Sequence, residues 1–303
     1  MSASGPGGSI FDLGYQSYTG PRLGRQSAVR SLFNHTIRSC FGIGRGGRAK
    51  IAPFTLAGIA VLPAALAVGF AALAAQAGPA GGAIEDASPI RYDSYHGLIS
   101  VLIMLFCAAQ APELFGRDQR YGVLPLYFSR VLTRPDYALA KVVGLMFSLL
   151  MVDLAPYLIL FVGRVFVAPD PAMGLSDELG AVPRFVLQSL LVAGLFGGIA
   201  SLIAAWTPRR AYATAAIIAV FIIPPIILAI LSSQTSQDLA RAVILFSPAD
   251  VLAGTNAAIF GSLPDSPVVA AVDLPGWMYV AAAAVGIVVT VGLTLRRYLR
   301  IAT

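Results

Sequence analysis

Charged residues are scarce in this chain, so the ones that interrupt its apolar runs are the first candidates for chemistry. The densest group lies between residues 113 and 141, ELFGRDQRYGVLPLYFSRVLTRPDYALAK. There Arg117, Asp118, Arg120, Arg130, Arg134, Asp136 and Lys141 alternate with Leu114, Phe115, Tyr121, Val123, Leu124, Leu126, Tyr127 and Phe128. Positions 117, 120, 121 and 124 recur at three and four residues and so share one helix face. The spacing predicts a short helix over 117–128 in which Tyr121 and Leu124 are apolar anchors and Arg117, Asp118 and Arg120 form a polar rim, the pattern of helix-in-groove recognition. Pro125 then ends or kinks that helix. Glu113 is expected to pair with Arg117 or with a partner subunit, because an isolated carboxylate near a hydrocarbon boundary is costly. Arg209 and Arg210, in the short stretch Thr207 to Ala211, offer a minor second contact.

Asp153 is a different kind of candidate. It lies midway along an apolar run, where an ionised carboxylate costs about 2.5 to 3.5 kcal/mol on insertion scales, so it must face other helices or a wet cavity. A structural hydrogen bond to a neighbouring helix and a role in substrate handling or protonation both fit it. No second carboxylate or histidine sits at matching depth. His35 and His96 have no Cys, His, Asp or Glu partners at metal-ligand spacing. The stretch GIGRGGRAK from Gly42 to Lys50 lacks the Gly-Lys-Ser/Thr ending of a phosphate loop, and no strand precedes it. No Gly-x-Ser-x-Gly, His-Glu-x-x-His or paired-carboxylate arrangement occurs, so an enzymatic reading has no machinery and no cofactor or metal is expected on this chain. Cys40 and Cys107 give no disulfide framework.

The elements that must carry these residues are membrane helices. Of 303 residues, 57% are hydrophobic and 12% charged, and the mean hydropathy is +0.77, which excludes a soluble globular protein. Residues 1–21 are rich in Gly and Ser and are expected to be mobile, with no cleavable signal peptide. Arg22 to Phe41 predicts an amphipathic helix with Val29, Leu32, Phe33, Ile37 and Phe41 on one face, lying on an anionic membrane surface within a 22–50 segment. Residues 51–300 then form the transmembrane domain. Six spans follow, at about 51–75, 96–114, 137–162, 183–206, 212–231 and 276–295, each near the roughly 20 residues a bilayer requires. Pro224 and Pro225 are expected to kink or unwind the fifth. Ser232 to Pro275 is expected to form short helices on the outer leaflet. With these spans, 17 of the 21 Lys and Arg residues fall on one side, which the positive-inside rule makes the cytoplasm, with both termini there. The net charge of +6 is explained by this topology, and nucleic-acid binding is not expected.

The order of an acidic residue ending a span at Glu113, then Arg117-Asp118-x-Arg120-x-Gly122-x-Leu124, then Leu132-x-Arg134-Pro135-x-Tyr137-x-Leu139-Ala140-Lys141 opening the next span, resembles the permease subunits of type-2 ATP-binding-cassette (ABC) exporters. The likeness runs from Arg22 to Arg300; it is carried by residues 113–141 and is topological elsewhere. It implies an all-α membrane protein with an N-terminal interfacial helix, six transmembrane helices and a cytoplasmic coupling helix. It further implies a plasma-membrane location and a homodimer of permeases, with ATP and magnesium held by separate cytoplasmic ATPase subunits. The substrate path would lie between permeases, along spans 2 and 5, with Ser100, Cys107, Gln110 and Thr214 among its few polar groups, suiting export of a lipophilic or amphipathic compound. The competing expectation is a membrane scaffold or secondary transporter with no ATPase, whose 113–141 island binds another partner or membrane lipids.

Overall fold

The computed structural model describes residues 20, 23–77, 90–129, 132–233 and 237–300. Most of the expected mobile stretch 1–21, Glu85, Asp86 and Arg130 lie outside these residues. The described chain is helical throughout, in the order α1 (Gly24–Cys40), α2 (Arg48–Gln76), α3 (Tyr92–Ala111), a π-helical turn (Pro112–Gly116), α4 (Arg117–Arg120), α5 (Leu124–Phe128), α6 (Arg134–Val167), α7 (Pro171–Glu178), α8 (Val182–Trp206), α9 (Arg210–Ser233), α10 (Gln237–Val243), α11 (Pro248–Phe260), α12 (Pro267–Val272) and α13 (Gly276–Leu299).

Among the described residues, six helices are long and apolar enough to cross a membrane: α2, α3 with its continuation to Arg120, α6, α8 with the α7 segment that leads into it, α9 and α13. This is a multi-pass, all-α membrane protein. Helices α3, α6 and α8 are the more enclosed, whereas α2, α9 and α13 keep most of their apolar surface outward, as lipid-facing helices do because hydrocarbon penalises only polar exposure.

Several spans extend beyond the boundaries read from hydropathy, each for a local reason. The second begins at Tyr92 rather than 96 and continues past 114, because Pro112 does not stop it. Proline lacks the N–H that would bond to the carbonyl of Ala108. The Thr214 hydroxyl of α9 donates to that carbonyl at 3.0 Å, and the backbone passes through a single π turn, a form that such interruptions commonly take. The third begins at Arg134 rather than 137. Thr133 and Asp136 form a capping box, with the Thr133 N–H donating to Asp136 Oδ2 at 3.0 Å, and Pro135 suits the first turn. At 34 residues, α6 is about 50 Å long, well beyond a hydrocarbon core of about 30 Å. At Pro63 of α2, the Tyr95 hydroxyl accepts from Ala64 N–H at 3.2 Å and donates to the Ala60 carbonyl, inserting a side chain into the helical ladder. Helix α9 runs unbroken through Pro224 and Pro225.

The apolar face of α1, which the sequence directs toward a membrane surface, is applied to α6. Leu32 and Thr36 are buried there, Phe33 meets Phe147 at 5.8 Å between ring centroids, and Thr36 fills the space that the absent side chain of Gly144 leaves. The segment between the fifth and sixth spans forms the expected short helices, but one of them, α11, is not confined to the surface. The chain bends by 95° between Asp238–Phe246 and Pro248–Phe260, and α11 enters the bundle beside α3, α8, α9 and α13. It is held by Gln188 Nε2 donating to the Leu252 carbonyl at 3.2 Å, Thr255 Oγ1 donating to Gln188 Oε1 at 3.1 Å, and Asn256 Nδ2 donating to the Asp93 carbonyl.

Candidate functional site

The basic segments converge at one end of the bundle. The single helix expected over 117–128 is broken there. Helix α4 ends at Arg120, Gly122 adopts the left-handed φ of 62°, and α5 restarts at Leu124 with Pro125 in its first turn. The left-handed residue makes the break, since only glycine adopts that conformation without steric cost. The i, i+3, i+4, i+7 face therefore ends at Tyr121. Leu124 turns inward and is 6% exposed, whereas Tyr121 is 74% and Leu126 69% exposed. The outward apolar pair is Tyr121 with Leu126, not Tyr121 with Leu124. Arg117 and Arg120 are exposed beside them.

Asp118 also departs from the expected rim. Its carboxylate accepts from Lys141 Nζ at 2.8 Å and from the Tyr137 hydroxyl at 2.6 Å. Lys141, nearly buried, donates as well to the Leu114 carbonyl of the π turn at 3.1 Å. Tyr137 in turn packs against Tyr127, Phe128 and Tyr298, with ring centroids 5.2, 5.8 and 5.5 Å away. Glu113 pairs with Arg210 of α9 at 2.7 Å rather than with Arg117. Arg209 is exposed and its guanidinium stands 5.8 Å from the Tyr212 ring. Gly116 comes against the backbone of Thr207 and Pro208. Gln119 Nε2 donates to the Ala205 carbonyl at 3.1 Å and to the Tyr298 hydroxyl at 3.2 Å. Arg25 reaches from α1 to Asp136 at 2.8 Å, and Arg134 Nη1 donates to the Leu299 carbonyl at 3.2 Å. The end of α3 is thereby tied to α6, α8, α9 and α13.

Between this hub and α1 opens a cleft of about 880 Å³, walled by Ala28, Asp118, Val123, Tyr127 and Leu132, with Arg117, Tyr121 and Leu126 at its edge. Its surface is mostly apolar. Partial burial and the nearby Asp118 carboxylate raise the Tyr127 phenol above its ordinary value, so it remains a neutral donor facing the cleft.

Asp153 is elsewhere, fully buried in the span region of α6. Neither of its carboxylate oxygens, nor the hydroxyl of Ser189 in α8, has a partner in hydrogen-bond geometry among the described residues. Of the polar groups assigned to a substrate path, Cys107 and Gln110 are buried inside the single chain, and Thr214 is occupied by the Ala108 carbonyl. Sequence reasoning missed Lys141 as the partner of Asp118 and Arg210 as that of Glu113. Neither lies at a helical spacing from its partner, so only packing brings them together.

No family model matches the chain, and no curated protein matches it either.

Proposed function

We propose that this chain is the membrane-embedded permease of a transporter resembling type-2 ABC exporters, with the basic end in the cytoplasm and ATP and magnesium on a separate ATPase subunit that docks at residues 117–128. The observation that carries this reading is the cleft of about 880 Å³ edged by Arg117, Tyr121 and Leu126, built on the continuation of α3. A partner seated there pushes on a helix end that is bonded to four other spans, which is how a docking event becomes movement of a bundle. The charge asymmetry supports the orientation. The substrate class that fits largely apolar spans is lipophilic or amphipathic, moved outward by a pair of such chains.

The test uses the tagged full chain, captured from its own cells in detergent. The reading expects a co-purifying protein with a Gly-x-x-x-x-Gly-Lys-Ser/Thr motif, ATPase activity in the complex, and loss of both in Tyr121→Ala/Leu126→Ala. Exposed aromatic and aliphatic anchors typically contribute at least about 1 to 2 kcal/mol each to such contacts. An undiminished complex with coupled activity in that double variant removes the docking site.

One observation favours a second reading, a secondary transporter without an ATPase. A buried mid-span carboxylate with no hydrogen-bond partner among the described residues, Asp153, is the kind of group that proton-coupled transport uses. Proton uptake by the purified chain in vesicles, abolished in Asp153→Asn, would support it.

A further inference from the structure

A second, smaller cleft of about 370 Å³ lies on the other side of Arg117, lined by His35, Arg38, Ser39, Ile43 and Arg45. Its geometry comes from the end of α1. Gly42 and Gly44 take left-handed φ values of 66° and 86°, Ile43 N–H donates to the Arg38 carbonyl at 2.8 Å and Gly42 N–H to the Ser39 carbonyl at 3.1 Å. This closing turn satisfies the last carbonyls of the helix and sends the chain back on itself. A side chain at position 42 would collide with the Ala49 carbonyl, so the turn is pressed against the start of α2. Arg45 is thereby returned to the side of Arg38, and the end of α3 brings Arg117 to the same cleft.

None of the three guanidiniums forms an ion pair or hydrogen bond within the described chain, whereas Arg25, Arg91, Arg164 and Arg210 each have a carboxylate. Three guanidiniums around one cavity repel each other, and among the described residues no carboxylate lines it. The surroundings identify the medium. Ile43 on the cleft wall is 47% exposed, and Ile51 and Phe54, in the first turns of α2 just beyond it, are 63% and 53% exposed. Phe41 bridges Phe54 and Phe106 with ring centroids 6.0 and 5.9 Å away. The cleft thus sits where a membrane helix leaves hydrocarbon, with apolar side chains on its bilayer side and arginines on its water side, the arrangement in which basic side chains meet lipid headgroups.

We propose that the Arg38, Arg45 and Arg117 cleft binds the phosphate of an anionic phospholipid, whose acyl chains run down the exposed face of α2 at Ile51 and Phe54. The chemistry is charge-assisted hydrogen bonding from planar guanidiniums to phosphate oxygens. His35, whose Nε2 lies 3.4 Å from Ser39 Oγ, stands at the rim. This site does not depend on the ATPase reading, since its occupant comes from the bilayer.

The test is native mass spectrometry of the full chain released from detergent micelles doped with phosphatidylglycerol or phosphatidylcholine, with inorganic phosphate and glycerol phosphate as separate competitors. One phosphatidylglycerol should be retained at least tenfold more tightly than phosphatidylcholine. Arg38→Gln/Arg45→Gln should lose that preference. Arg48→Gln/Lys50→Gln removes the same charge from outside the cleft and should keep it. An equal loss in both double variants would show diffuse charge rather than a site. Displacement of the lipid by either soluble phosphate at submillimolar concentration would assign the cleft to a water-soluble phosphate compound. Either result overturns the proposal, as does equal retention of the two lipids by the unaltered chain. Arg38 is exposed and Arg45 partly so, and an unchanged elution volume would verify that the variants fold.

Discussion

Lys141 shows how one residue serves two frameworks. Its ammonium neutralises Asp118 and also donates to the Leu114 carbonyl in the π turn. Removing one member of a nearly buried pair leaves the other uncompensated, at a cost on the order of 3 kcal/mol, while removing both can be close to neutral. Lys141→Met should therefore lower the apparent melting temperature in detergent markedly. Lys141→Met/Asp118→Asn should recover most of the loss. If the double variant is no better than the single one, the pair is not the reason for the lysine. His35 permits a pH test. Desolvation first, and then the positive charge of Lys141, lower its pKa from 6.5, with Asp118 opposing them and Arg45 and Arg117 adding smaller lowering effects. The folded ring thus resists a proton that the unfolded chain accepts, so this residue's contribution to stability falls as the pH drops below about 6.5. In detergent free of anionic lipid, melting temperatures at pH 7.5 and 5.5 should differ less for His35→Gln than for the unaltered chain. An identical difference would dismiss the residue.

At the scale of elements, proline and glycine positions explain where helices continue and where they stop. Pro112 and Pro63 lie inside spans that continue, because Thr214 and Tyr95 supply hydroxyls to the disturbed backbone. Such interhelical bonds in membranes average about 0.6 kcal/mol and reach about 1.7. Thr214→Val and Tyr95→Phe should each destabilise within that range, measured by reversible unfolding in mixed micelles; a larger loss for both would mean that packing, not the hydroxyl, is responsible. Gly254 sets a different limit. A side chain there would meet the Tyr279 ring, so Gly254→Val should push α11 away from α13. Faster proteolysis in the 237–275 segment would report it, and an unchanged digestion pattern would count against the contact.

For the whole molecule, the distribution of charge makes one topological prediction. Cys40 and Cys107 are buried, so an introduced cysteine reports its own position. Leu263, at the end opposite the basic hub, is 89% exposed, and Ser129 is exposed at the hub. In intact cells an impermeant maleimide should label Leu263→Cys and spare Ser129→Cys. The reverse pattern would place the basic end, and any docking there, outside the cell.

The sequence by itself determined the number of spans and the gathering of Lys and Arg in alternate connecting segments, because hydrophobic length and charge are sums over neighbouring residues. It also marked residues 113–141 as exceptional, since charge within so apolar a chain is conspicuous locally. Tertiary structure alone decided which of those charges are free. Asp118 and Glu113 look equivalent to Arg117 and Arg120 in a linear reading, yet Lys141 and Arg210 reach the two carboxylates from other helices and leave the arginines outward. Leu124 and Leu126 are likewise indistinguishable by hydropathy. A left-handed residue at Gly122 turns one in and the other out. The insertion of α11 was illegible for the same reason. Its apolar stretch is shorter than a span, and only the neighbouring helices that receive it make its burial favourable.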